Sequence, residues 1–151
     1  MTETPMANEG AGLSNLSRFS TVGIVGAGVI GCGVTQSLVT TGHRVVLADV
    51  SDSVLKKSCA TMRDQLRSMA LFNDLRVDID EAMERIVMVT DLKELGAVDF
   101  VVENVTEDWE IKRTVYTALD QVCRRDIVFA VNTSAIPITR VASATSRPDR
   151  V

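Results

Sequence analysis

Gly26, Gly28 and Gly31 stand in the pattern GxGxxG within VGIVGAGVIGCG, and 18 positions after the last of them comes an acid, Asp49. Glycines at this spacing suit a bound pyrophosphate where a strand turns into a helix. Gly26 permits the tight turn, Gly28 lets a phosphate approach the backbone, and Gly31 lets helix and strand lie close. The first turn of that helix, which holds Val29 and Ile30, adds unpaired N–H groups and a partial positive charge. Asp49, ending the next strand, falls near the spacing at which a carboxylate accepts hydrogen bonds from both ribose hydroxyls. It would repel a 2′-phosphate, and the Val50 and Ser51 that follow supply no cation, so these residues point to NAD over NADP. The same glycines also suit a packing turn, and Asp49 also suits a loop start or an aid to the next helix cap.

Two polar stretches, VVENVTEDWEIKRTVY and FAVNTSAIPITRVA, each follow a later apolar run. In an open α/β sheet ligands gather at the carboxyl ends of the strands, which is where these stretches fall. By pattern, Thr106 reads as a helix cap with Glu107, Asp108 and Glu110 as first-turn acids, and Ser134 as the cap of a short helix around Pro137.

The elements that must position these residues follow from periodicity. Thr21 to Val25 reads as a first strand, Val29 to Thr41 as a helix stopped by Gly42, and Arg44 to Ala48 as a second strand. Ser51 can cap a long helix with Val54, Leu55, Met62, Leu66 and Met69 on one face, followed by a short helix over Ile79 to Glu84. Further strands are predicted at Ile86 to Val89, Val98 to Val102 and Ile127 to Val131. Between the last two lies a helix whose core face is marked by Ile111, Val115, Leu119 and Val122. The alternation specifies an α/β fold with a doubly wound (Rossmann), mostly parallel sheet and helices on both faces.

A length of 151 residues with 46% hydrophobic content sets an expectation of one domain over 21–151. The polar residues 1–20 read as a mobile tail with neither a signal-peptide core nor a membrane-length apolar run. A formal charge of -4 argues against a nucleic-acid partner. Cys32, Cys59 and Cys123 lack CxxC spacing and fall in predicted helices, which suits reduced thiols in a cytoplasmic protein without a metal site.

From Thr21 to Val151 the chain closely resembles the NAD-binding domain of the 3-hydroxyacyl-CoA dehydrogenases. GIVGAGVIGCG, the AD pair ending at Asp49, VVENVTEDWEIK and NTSAIPITRVASATSRPDRV carry the resemblance. It implies cofactor contacts at Gly26, Gly28, Gly31, Asp49, Glu107 and Lys112; Val29, Ile30, Asn104 and Asn132 are assigned to the cofactor with them. It also implies that Ser134 lies near the substrate carbonyl and the nicotinamide. The family's Ser and Lys that help hold coenzyme A correspond to the region around Gln65 to Phe72, where Gln65 stands without a matching lysine. The family's catalytic His, its Glu partner and its helical dimerisation domain are expected beyond Val151. His43, the only histidine, reads as a loop residue at the amino end of the sheet.

The resulting expectation is the cofactor domain of an oxidoreductase that exchanges hydride between NAD and a 3-hydroxyacyl thioester. The full-length protein is expected as a homodimer, away from nucleic acid and membrane, and this chain by itself as inactive. One alternative is a relative acting on a hydroxyacyl group carried by a carrier protein in a biosynthetic route. Another is a stand-alone NAD-binding or sensing module.

Overall fold

Alternating apolar runs that are buried on both sides can be satisfied only by a sheet covered on each face. The computed structural model describes residues 20–72 and 78–151 and arranges them that way. In chain order the elements are β1 (Thr21–Val25), α1 (Val29–Thr40), β2 (Arg44–Ala48), α2 (Asp52–Phe72), α3 (Ile79–Glu84) and β3 (Ile86–Val89). A 3-10 helix (Leu92–Ala97), β4 (Phe100–Glu103), α4 (Trp109–Val122), β5 (Phe129–Val131), α5 (Ile138–Ala142) and a last 3-10 turn (Pro148–Arg150) follow. The tail expected over 1–20 lies, apart from Ser20, outside the described residues.

The strands form one parallel sheet in the order β3-β2-β1-β4-β5. The chain winds outward from β1 in one direction and then returns to build β4 on its other side, so the switch point lies between β1 and β4. On one face Val39 of α1, Leu55, Met62 and Leu66 of α2, and Ala82 and Met83 of α3 pack on Ile24 and Leu47. On the other, Tyr116 and Leu119 of α4 and Val141 of α5 pack on Val25, Val101 and Phe129. The doubly wound arrangement is therefore as the sequence predicts.

Several boundaries and faces differ from expectation, each for a physical reason. β4 runs from Phe100 to Glu103 instead of starting at Val98, because the 3-10 helix ends at Ala97 and Val98 caps it by donating to the Leu95 carbonyl at 3.3 Å. β5 begins at Phe129, not Ile127. On helix α4 the predicted Leu119 is buried and Val115 and Val122 pack against the core, but Ile111 is 45% exposed, and Lys112 and Tyr116 are buried in addition. On α2, Val54 and Met69 likewise lie outside the core, each 38% exposed. Asp108, not Thr106, caps α4, its carboxylate accepting from the Ile111 amide at 3.0 Å. Pro137, not Ser134, stands at the N-cap of α5, and Cys123 falls just past α4 as its C-cap, its buried thiol pushed up to about 11 by desolvation.

Among the described residues no helix is long and apolar enough to cross a membrane.

Candidate functional site

The glycine loop joins β1 to α1 at the carboxyl edge of the sheet. Its three glycines do different things. Gly26 has φ of +94°, a conformation costly for a residue with a Cβ, and a Cβ there would stand 2.7 Å from the Asn104 carbonyl oxygen. It thus lets the loops after β1 and β4 touch at the switch point. Gly31 has no room either, since a Cβ would lie 1.9 Å from the Gly26 carbonyl oxygen. Its close approach is to the loop more than to the strand. Gly28, the N-cap of α1, has ordinary extended backbone and open space where a Cβ would point. A group the size of a phosphate can therefore come up to the N-terminus of α1 from that side, next to Val29 and Ile30, which are 89% and 57% exposed.

Asp49 is held rigidly beside this loop. Its Oδ2 accepts from the Ala27 amide at 2.9 Å and its Oδ1 from the Ser51 amide at 3.0 Å. Gly26, Gly28, Asp49 and Asn104 share the walls of a cleft of about 390 Å³ with the apolar side chains of Val54, Ile111 and Val115. This accounts for Val54 and Ile111: apolar positions that sequence periodicity sends to the core furnish the cleft instead. A polar acid and phosphate-sized access at one end, with an apolar slot beside them, match the needs of an adenine nucleotide. The residues present fit NAD.

The loops after β4 and β5 meet at the same edge. Asn132 Nδ2 donates to Asn104 Oδ1 at 3.1 Å. Glu107 is not a first-turn acid of α4. Its carboxylate reaches across to the segment holding Ser134, accepting from the Thr133 hydroxyl, from the Ala135 amide at 3.1 Å and from the Ile136 amide at 3.2 Å. The Thr133 bond first, and the two amides and Lys112 after it, hold the Glu107 carboxyl below the ordinary carboxylate range. Ser134 itself is exposed.

Lys112 and Glu103 are both fully buried and ion-paired behind these loops. The Lys112 ammonium gives its three N–H donors to the two Glu103 oxygens, at 2.9 and 2.8 Å, and to the Asn132 main-chain carbonyl at 2.8 Å. Glu107 lies 4.0 Å from it. Tyr116 packs next to the pair, and burial and then the Glu103 charge push its hydroxyl above its ordinary range. Sequence reasoning overlooks Glu103 because a charged residue at a strand end reads as a loop residue. The available signal is the 112, 116, 119 spacing, which places Lys112 on the buried stripe of α4.

Gln65, on the helix after β2, accepts from the Gln36 side chain at 2.9 Å, which ties α2 to α1. His43 lies between α1 and β2, at the amino ends of the strands, with its Nδ1 3.0 Å from the Thr41 hydroxyl. The loop with Ser134 is at the opposite edge. No group of His, Cys, Asp and Glu among the described residues is arranged to hold a metal.

Comparison with known proteins accords with this geometry. Residues 21–151 match the family described as 3-hydroxyacyl-CoA dehydrogenase, NAD binding domain. The chain is 30% identical over 129 residues to a 3-hydroxybutyryl-CoA dehydrogenase of Clostridioides difficile, covering 85% of this chain and 46% of that one. It is 32% identical over 132 residues to the 3-hydroxyadipyl-CoA dehydrogenase of Escherichia coli strain K12, covering 87% of this chain and 28% of that one. The crystal structure of an (S)-3-hydroxybutyryl-CoA dehydrogenase from Ralstonia eutropha superimposes with a TM-score of 0.83 at 36% identity, covering 87% of this chain and 47% of that one. The chain thus spans less than half the length of these relatives. With its glycine loop, acid and paired strand-end loops on one sheet edge, the chain belongs to the NAD-binding domain family of the 3-hydroxyacyl-CoA dehydrogenases.

Proposed function

We propose that this chain supplies the cofactor-binding part of an oxidoreductase that interconverts a 3-hydroxyacyl thioester and its 3-keto form. The observation that carries the reading is the convergence on one cleft of Asp49, the open side of Gly28 and the N-terminus of α1. Bound there, NAD supplies the acceptor for a hydride. In this reading Gly26, Gly28, Val29, Ile30 and Gly31 receive the pyrophosphate and Asp49 the adenosine ribose. Asn104, Glu107, Lys112 and Asn132 shape the end of the cleft nearer Ser134, and Ser134 holds the oxygen of the reacting carbon.

The substrate class is taken from the relatives, which are named for coenzyme A thioesters. A carrier-protein thioester is the second reading, and one observation favours it. Gln65 is already engaged by Gln36, and Phe72, 84% exposed, closes the stretch where the family's lysine is expected. A homodimer of the longer protein and a cytoplasmic location complete the proposal, the latter supported by three unpaired cysteines.

Calorimetric titration of the chain with NAD and with NADP tests the cofactor assignment. Binding of NAD with NADP clearly weaker is expected, and equal affinity for the two sinks the assignment. Fusing a relative's His-bearing segment after Val151 and assaying 3-hydroxybutyryl-CoA against the same acyl group on a carrier protein tests the substrate class. No turnover of either thioester by a folded, NAD-binding fusion would refute it.

A further inference from the structure

We propose that Glu103 is a positioning residue for the cofactor cleft, acting through Lys112 to fix the two loops that line it; this rests on the NAD-binding reading above. Both side chains are fully buried. The Glu103 carboxylate accepts from the Val105 amide at 2.6 Å as well as from Lys112, and Lys112 in turn donates to the Asn132 carbonyl. One ion pair thereby clamps the backbone of the loop after β4 at Val105 and that of the loop after β5 at Asn132. Those loops are walls of the site. Asn104 and Val105 line the cleft, the Asn104 carbonyl abuts Gly26, and Asn132 bonds the Asn104 side chain. Glu107, beside the Lys112 ammonium, holds the Ser134 segment from the other side.

Stability alone is a weak reason to bury such a pair. The desolvation of two ions commonly cancels their attraction, and apolar residues of similar volume often serve as well or better. A neutral pair of similar shape can fill the space. It cannot supply charge-assisted hydrogen bonds to two main-chain groups from different loops at once. Core filling and loop positioning therefore predict different behaviour once the charges are removed together.

The test compares the unaltered chain, Glu103→Gln and the double variant Glu103→Gln/Lys112→Met by melting, NAD calorimetry and amide hydrogen exchange. Glu103→Gln leaves the buried ammonium with only the more distant Glu107 carboxylate, 4.0 Å away, and is expected to melt well below the unaltered chain. The double variant is expected to regain most of the melting temperature and yet bind NAD about tenfold more weakly or worse. Its Val105 amide and those of residues 132–136 are expected to exchange faster, a readout that needs no cofactor. Rescue of stability without rescue of binding is what core filling alone would not produce. A double variant that melts, exchanges and binds NAD like the unaltered chain overturns the proposal. Should the double variant fail to fold, Glu103→Asp decides, because it keeps the charge but shortens the reach: weakened NAD binding and faster loop exchange are expected, and unaltered values for both refute the positioning role. Failure of the unaltered chain to bind NAD counts against the cofactor reading, while the exchange rates still judge the clamp.

Discussion

The carboxylate of Asp49, at the end of β2, holds the Ala27 amide of the neighbouring β1–α1 loop at 2.9 Å. The residue proposed to receive the ribose is thus also a fastener of the loop proposed to receive the phosphates. These roles come apart under substitution. Asp49→Ala strands the amide of Ala27, which is 2% exposed, and should cost roughly 1–3 kcal/mol of stability. NAD affinity should fall by about one to two decades, and the preference over NADP should narrow. Asp49→Asn retains an acceptor for Ala27 but turns its NH2 toward the Ser51 amide, so it should lose less stability than Asp49→Ala while still losing selectivity. If Asp49→Asn kept full discrimination against NADP in calorimetry, the carboxylate charge would not be what selects the cofactor.

Gly28 and Gly31 separate binding from folding. Gly28→Val places its side chain in open space on backbone any residue adopts, so the fold should survive while NAD binding is abolished. Gly31→Ala drives a methyl group to within 1.9 Å of the Gly26 carbonyl oxygen, which forces α1 or the loop to move. A loss of about 1–3 kcal/mol or more in urea unfolding is expected for it. A well-folded Gly28→Val chain with unchanged NAD affinity would show that this loop does not receive the dinucleotide.

The glycines and Asp49 are legible in sequence because each meets a local backbone or spacing demand. The strand order is legible because alternating strand and helix with right-handed crossovers leaves few topologies. Glu103 and Lys112 are not legible in the same way. A lone strand-end acid and a first-turn lysine have the local chemistry of solvated charges, and only their tertiary neighbours make them a buried pair. Ile111 of α4 is misread for a related reason. It is an exposed apolar wall of the cleft, and hydrophobicity does not distinguish a wall of a binding cleft from a core.

Acid should loosen the Ser134 segment in a defined direction. Glu107 titrates below its ordinary 4.5, chiefly through the Thr133 hydroxyl and with help from the Ala135 and Ile136 amides. A carboxyl whose folded pKa is depressed contributes stability fully above its unfolded value and loses it as pH falls through the folded one. The segment should therefore be unchanged from neutrality down to that ordinary value and release only below it. Proton–nitrogen NMR shifts of Ala135 and Ile136, followed from about pH 6 to about pH 3, measure this. In Glu107→Gln the shifts should lose that titration. A midpoint at or above 4.5 in the unaltered chain would mean that the Glu107 bonds do not hold the segment in solution.

The chain of 151 residues is expected to bind NAD without oxidising a 3-hydroxyacyl thioester. Taking the proton from a secondary alcohol near neutral pH calls for a base within hydrogen-bond reach of the hydroxyl, and such catalysis is commonly worth ~10²- to 10⁴-fold. The single histidine, His43, sits at the amino ends of the strands, whereas the Ser134 loop follows the carboxyl end of β5. Lys112 has all three donors committed and no exposed surface. Glu107 is held below the ordinary carboxylate range, which makes it a still poorer proton acceptor. The Ser134 hydroxyl is no base without a partner to take its own proton. Lys112 and Glu107 are thus engaged in holding the site, and Glu107 is tuned away from proton abstraction. The measurement is NADH absorbance after mixing the chain, NAD and 3-hydroxybutyryl-CoA, with calorimetry on the same sample to show that NAD is bound. No steady increase is expected, and a fused His-bearing segment should restore one. A steady rate from the chain by itself that Ser134→Ala abolishes would mean that these residues already make a complete active site, and that a proton acceptor has been misassigned to a structural role.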